Sequence, residues 1–174
     1  VIDLYQMHWP DPEEQIEEAW EAMITLIEQG KVRYIGVSNY TVSQLERIAA
    51  IHPPVSLQPP YSMLHREIER DLLPYCAAHQ MGMLCYSPMQ KGLLTGKFSK
   101  QHMQMLADDD YRRIDPDFQG ERFERNLRVV EALRPIAERS GKTMAQLAIA
   151  WVLRSEAVTA AIVGARKEKQ IEET

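Results

Sequence analysis

A chain of 174 residues with 20 Lys and Arg against 25 Asp and Glu carries a formal charge of -5, and 45% of it is apolar. That profile fits one globular domain, or a large piece of one, able to bury a core without disulfide staples. It offers no basic face for nucleic acid or a membrane surface and no apolar run long enough to span a bilayer, and its two cysteines, Cys76 and Cys85, make no disulfide scaffold. A soluble protein of a reducing, cytoplasmic compartment is therefore expected.

Val1 to Met7 reads as a strand. Asp11 is then expected to cap a helix with Pro12 at its first position, where a missing N–H costs nothing. In that helix Ile16, Ala19, Trp20, Met23 and Ile27 recur at helical spacing, while Glu13, Glu14, Glu17, Glu18 and Glu21 face elsewhere as a solvated surface, and Gly30 ends it. Val32 to Val37 makes a second strand. Thr41 and Gln44 form a capping-box pattern opening a helix with Leu45, Ile48 and Ala49. Val55 to Leu57 is a short third strand. Asp71 to Gln80 is predicted as a helix with Pro74 in its first turn, closed by Gly82, and Met83 to Tyr86 as a fourth strand.

A long polar loop is expected from about Ser87 to Gly120, with Asp108, Asp109 and Asp110 on the surface. Glu121 to Arg139 reads as a helix with Phe123, Leu127, Val130 and Ile136 on one side, kinked at Pro135. Thr143 and Gln146 repeat the capping box ahead of an apolar helix through Trp151 and Val152, and Thr159 to Val163 is a last strand ending at Gly164. The chain starts inside an apolar run and stops at Thr174 just after a helix begins, so it is expected to be incomplete at both ends.

Apolar strands alternating with helices imply crossover units on a parallel sheet, either an open doubly wound sheet or a (β/α) barrel. The turn after Met7 is His-Trp-Pro-Asp, not the Gly-rich turn of a dinucleotide-binding open sheet. The barrel is favoured, in part only, since a whole one takes about 250 residues. Barrel chemistry sits just past the strands' C-terminal ends, which here gives His8 and Trp9, Ser38 and Asn39, Gln58, Tyr86 and Ser87, and Gly164 to Arg166. Each alone reads as a turn, cap or core residue; at one barrel mouth they read as a site. Other patterns fail. Gly92 to Lys97 is one residue short of a phosphate loop and continues with Phe98, Gly36 to Tyr40 lacks the last Gly of a nucleophile elbow, and Cys76 with His79 has no second pair for zinc. His52, His65 and His102 have no metal-site spacing, so no metal is expected.

The segments Leu4-Tyr-Gln-Met-His8-Trp-Pro-Asp11, Tyr34-Ile-Gly-Val-Ser38-Asn39, Gln58-Pro-Pro-Tyr61-Ser62, Tyr86-Ser-Pro-Met-Gln-Lys-Gly-Leu-Leu-Thr-Gly-Lys97-Phe98 and Val163-Gly-Ala-Arg166-Lys-Glu-Lys-Gln170-Ile-Glu-Glu173 resemble the aldo-keto reductases. They follow the order of that family's fourth to eighth barrel strands. The resemblance implies residues 1–174 of a partial (β/α)8 TIM-barrel domain, and an oxidoreductase that reduces aldehydes and ketones to alcohols with NADPH, without metal or flavin. It implies that His8 is the catalytic His, orienting the substrate carbonyl. It places Ser38, Asn39 and Gln58 on the nicotinamide carboxamide and stacks Tyr86 on the ring. It runs the backbone of Ser87, Pro88, Met89, Gly92 and Leu93, with Lys97, along the pyrophosphate. Arg166 falls at the adenosine 2'-phosphate, favouring NADPH over NADH, with Gln170 and Glu173 at the adenine; Gly164 is a further cofactor contact, and Trp9 lines the substrate pocket. The family's catalytic Asp, Tyr and Lys come from strands without a matching motif here, so the isolated chain is expected to be inactive. It is also expected to self-associate through exposed sheet edges. The alternative is an NADPH-binding regulatory module without turnover, as in the potassium-channel β subunits, which resemble the same family.

Overall fold

The computed structural model describes residues 1–165 and 167–172. Strands β1 (Ile2–Met7), β2 (Val32–Ser38), β3 (Ser56–Gln58), β4 (Gly82–Tyr86) and β5 (Val158–Ile162) form one sheet in the order β1-β2-β3-β4-β5. Every neighbouring pair is parallel, with Gln6 beside Gly36, Ser38 beside Gln58 and Tyr86 beside Ile162. A doubly wound sheet reverses its strand order at a switch point. This one advances without reversal, as the wall of a barrel does.

Helices α1 (Ile16–Glu28), α2 (Val42–Ala49), α3 (Leu72–Ala78), α4 (Lys100–Gln104), α5 (Gly120–Arg139), α6 (Met144–Val152) and α7 (Glu168–Glu172) connect and follow the strands. The sheet residues Ile35, Val37, Leu57, Met83 and Cys85 pack with Ile16 and Trp20 of α1, Leu45 and Ile48 of α2, and Cys76 of α3 in the main core. Their period of two puts Gln6, Gly36, Ser56, Gln58 and Tyr86 on the opposite face, where the polar side chains collect. A second core, with Leu94, Val130, Ala137, Met144 and Ala148, joins the segment after β4 to α5 and α6.

Both capping boxes form. Thr41 Oγ1 accepts from the Gln44 N–H and Gln44 Oε1 from the Thr41 N–H, and Thr143 with Gln146 does the same. Each supplies partners for helix-end amides that would otherwise lack them. α5 continues through Pro135 to Arg139. Among the described residues no helix is long and apolar enough to cross a membrane, and no cluster of three His, Cys, Asp or Glu could hold a metal ion.

Several local expectations are corrected. Asp11 does not cap α1: Pro12 is extended (φ -72°, ψ 142°), Glu13–Gln15 form a 3-10 turn, and the α-helix begins at Ile16. The tighter turn carries the chain from the end of β1 onto the helix, and no side chain caps it. Gly82 opens β4 instead of closing α3; the left-handed residue there is Gln80 (φ 54°). The polar loop after Tyr86 is largely ordered, with 3-10 runs at Gln90–Thr95, Tyr111–Arg113 and Pro116–Phe118 and the helix α4. Asp110 is no surface residue, because Arg112 pairs with its carboxylate and only 14% of that side chain is exposed. The strands are not evenly buried either. Ile2, Tyr5, Tyr34 and Ile162 are exposed, because β1 and β5 are the outer strands and no described residue covers the sheet face at Tyr34.

Candidate active site

The parallel register brings the C-terminal ends of β1 to β4 into line, and the residues there are tied together by hydrogen bonds. Asn39, left-handed at φ 65°, is the hub. Its Nδ2 donates to the His8 carbonyl (2.9 Å) and to Ser38 Oγ (3.0 Å), while its Oδ1 accepts from the Tyr86 hydroxyl (2.9 Å). Ser38, buried, donates from Oγ to the Gln58 carbonyl (2.8 Å). One layer below, Gln58 Nε2 donates to Gln6 Oε1 (3.0 Å) and Gln6 Nε2 to Ser56 Oγ (3.1 Å). Asn in the left-handed region is tolerated because its short amide bonds locally. Both donors of that amide are in use, so Asn39 fixes the rim and keeps only acceptor capacity for anything beyond it.

His8 and Trp9 are exposed side by side, ring centroids 5.8 Å apart. Burial pushes the Tyr86 hydroxyl above the usual phenol range, with Lys91 pulling weakly the other way. Tyr86 therefore stays a neutral donor to Asn39. Burial likewise raises the Cys85 thiol to about 12 and the Cys76 thiol to about 11, which makes both inert packing residues.

Beside this rim opens a cleft of about 720 Å³, within the range of small-molecule sites. Tyr86, Ser87, Pro88, Met89, Gly92, Lys97, Gly164 and Gln170, all expected at a cofactor, line it. Leu93 does not. It is fully buried against Phe118 and Phe123, because the 3-10 run turns it inward. Ser38, Asn39 and Gln58 stand at the rim, and Arg166 and Glu173 lie outside the described residues. The amides of Gln90 and Gly92 donate to the Ser87 and Met89 carbonyls. Those two amides are therefore engaged within the turn itself. A shallower cleft of about 370 Å³ between α4 and α5 holds none of the strand-end residues.

The family model for the aldo/keto reductases matches residues 1–174. The chain belongs to that family. The aldo-keto reductase YhdN of Bacillus subtilis is 42% identical over 172 residues, covering 98% of this chain and 51% of that protein. The aldo-keto reductase yakc [NADP(+)] of Schizosaccharomyces pombe is 34% identical over 99% of this chain and 51% of its own length. Among solved structures, the glycerol dehydrogenase AKR11B4 of Gluconobacter oxydans superposes with a TM-score of 0.90 at 37% identity, over 99% of this chain and 52% of that one. The thermostable aldo-keto reductase Tm1743, in complex with the inhibitor epalrestat, gives 0.71 at 30% identity, over 98% and 52%. The chain spans about half the length of the relatives it matches, and its fold is part of an aldo-keto reductase TIM barrel.

In this aldo-keto reductase chain several residues of the site escape a reading of the strand ends. Gln6 and Ser56 support Gln58 from below, and a Gln inside an apolar strand is the trace they leave in the sequence. Lys91, Phe98, His102, Tyr111, Arg112 and Thr143 also line the cleft. His102 stacks on Phe98 (4.4 Å) and the Arg112 guanidinium lies 5.3 Å from the same ring. All but Thr143, the N-cap of α6, come from the segment after β4, where the strand–helix rhythm lapses and periodicity offers no guide. An extended anionic cofactor with an aromatic end fits this lining. Tyr86 lines the cleft at the rim and Lys97 supplies a cationic group further along, while Arg112 is tied to Asp110 and the Lys91 carbonyl.

Proposed function

We propose that the protein carrying this chain is an NADPH-dependent reductase of aldehydes and ketones, and that this chain supplies its cofactor cleft and the carbonyl-orienting His8. On this reading the five strands correspond to the fourth to eighth of the family's barrel. The observation that carries the proposal is the bond of Asn39 to both the His8 carbonyl and the Tyr86 hydroxyl. One side chain thereby fixes the separation of the carbonyl-orienting residue and the aromatic floor of the cleft. NADPH, when bound, supplies the hydride that reduces the carbonyl carbon.

The residues of the chain do the rest by position. The exposed His8 imidazole donates a hydrogen bond to the substrate oxygen, orienting it and stabilising the charge that develops there. Trp9 closes the substrate side as an apolar wall. Tyr86 presents its ring to the nicotinamide, with Ser38, Asn39 and Gln58 at the carboxamide; Asn39 does so through its remaining acceptor capacity. Ser87, Pro88, Met89, Gly92 and Lys97 run along the pyrophosphate, and Gly164 and Gln170 flank the adenosine. The choice of NADPH over NADH rests on Arg166, whose planar fork matches a phosphate.

Carbonyl-dependent loss of NADPH absorbance by the protein carrying this chain tests the proposal. His8→Ala is expected to lower kcat about 100-fold or more, in the range of a general acid–base or orienting group. Unchanged turnover in that variant would remove His8 from the chemistry.

A further inference from the structure

The cleft is bordered by a backbone that L residues avoid. Gln90 (φ 45°), Lys91 (φ 55°) and Gly92 (φ 96°) are left-handed in succession, and only the last is glycine. Side chains at the first two raise the free energy of that conformation, so it persists only where surrounding structure holds it. Most of the holding groups come from one stretch, residues 110–117; Ser62, whose Oγ donates to Gln90 Oε1 (3.3 Å), is the exception. Lys91 Nζ pairs with the Asp115 carboxylate, and Gln90 Nε2 donates to the Asp117 carboxylate. Arg112 Nη1 donates to the Lys91 carbonyl (3.4 Å), and its Nε donates to Asp110 (2.8 Å).

The holding stretch is itself anchored. Asp115 Oδ1 accepts from the Asp117 N–H (2.9 Å) and so caps the 3-10 turn Pro116–Phe118. Asp117 also meets Arg122 Nε (2.7 Å) and His65 Nε2 (2.6 Å), and its carbonyl accepts from Asn126 (3.1 Å). Both carboxylates are buried. Burial works to raise the Asp115 carboxyl, but Lys91 and the Asp117 amide outweigh it and hold the group below the usual range. It is therefore a charged partner at neutral pH.

We propose that Asp115 and Asp117 are positioning residues of the cofactor cleft, gripping Lys91 and Gln90 so that the left-handed turn faces the ligand. The proposal rests on the NADPH reading of the cleft and adds residues that touch neither cofactor nor substrate. It reverses the naive electrostatic expectation. Removing a carboxylate near a cleft for an anion should tighten binding if charge alone decides; if the carboxylate holds the turn, binding weakens.

NADPH titrations of the protein carrying this chain, followed by tryptophan emission, separate these cases. Asp115→Asn keeps an acceptor for the Asp117 amide, so it is expected to melt close to the wild type while its NADPH Kd rises about tenfold. Asp115→Glu, which restores a carboxylate for Lys91, is expected to recover most of the affinity. Lys91→Met removes the same pair from the other side, and adding Asp115→Asn to it is expected to weaken binding no further. Wild-type-like or tighter binding by Asp115→Asn, or losses that multiply in the double variant, would overturn the proposal while leaving the cofactor reading intact. A wild type that does not bind NADPH would overturn both. If Asp115→Asn melts early, the Lys91→Met background still decides: there the partner is already gone, and any added loss of affinity counts against positioning through Lys91.

Discussion

The strand-end rim and the turn after β4 border the same cleft, yet they are held in place by different means. At the rim, Ser38, Asn39, Gln58 and Tyr86 lie at the ends of paired strands, and short hydrogen bonds run between groups that the sheet register has already brought together. At the turn, Gln90 and Lys91 adopt a conformation that their own chemistry disfavours, and carboxylates about twenty-five residues further along the chain hold them there. The rim inherits its geometry from the sheet. The turn borrows it from a distant segment, so its shape can be altered while the sheet stays intact.

That contrast can be broken most severely at Gly36. A Cβ there would stand 2.1 Å from Ser56 Oγ and 2.9 Å from the Ser56 carbonyl oxygen, so β2 and β3 would have to part. Gly36→Ala is expected to destabilise the fold by about 3 kcal/mol, an overpacking cost, and to disturb the Gln6–Ser56–Gln58 layer with it. Urea unfolding measures the loss as a lowered midpoint. A midpoint equal to the wild type would mean that the rim does not depend on the close approach of these strands.

Asn39 sharpens the comparison with smaller effects. Asn39→Ala loses the bonds to His8 and Tyr86 and also places a Cβ residue without local hydrogen bonding in the left-handed region, for about 2 kcal/mol in all. Asn39→Gly loses the same bonds in a backbone that glycine adopts freely, for about 1 kcal/mol. The difference between the two midpoints isolates the backbone contribution at the rim. Equal losses would assign the whole effect to the hydrogen bonds.

Much of this architecture could be read from the residues alone. The alternation of apolar strands with helices, the two Thr–Gln capping boxes and the polar residues just past each strand pointed to part of a barrel and to its mouth, and His8, Ser38, Asn39, Gln58 and Tyr86 do gather there. Parallel sheets make such positions legible because a residue's place past a strand fixes its place in space. Legibility fails where position depends on pairing between distant segments. Nothing local to Lys91 announces Asp115, and nothing local to Gln90 announces Asp117. The same cause hid Gln6, whose partners Ser56 and Gln58 lie on β3. The start of α1 departs from its sequence signal for another reason. Asp-Pro is a sound helix-start signal, but here Pro12 is extended and the helix begins one turn later. Leu93, expected along the pyrophosphate through its backbone, sends its side chain into the core from the 3-10 run.

On the proposed function, the rim and the left-handed turn together hold a nicotinamide cofactor. Hydrogen–deuterium exchange of the protein carrying this chain, with and without NADPH, tests it most directly because it reports where protection falls. Slower exchange is predicted for residues 86–98 and around 164–172, with α1 on the outer face unchanged. Protection absent from 86–98, or confined to the cleft between α4 and α5, would mean that the cofactor sits elsewhere.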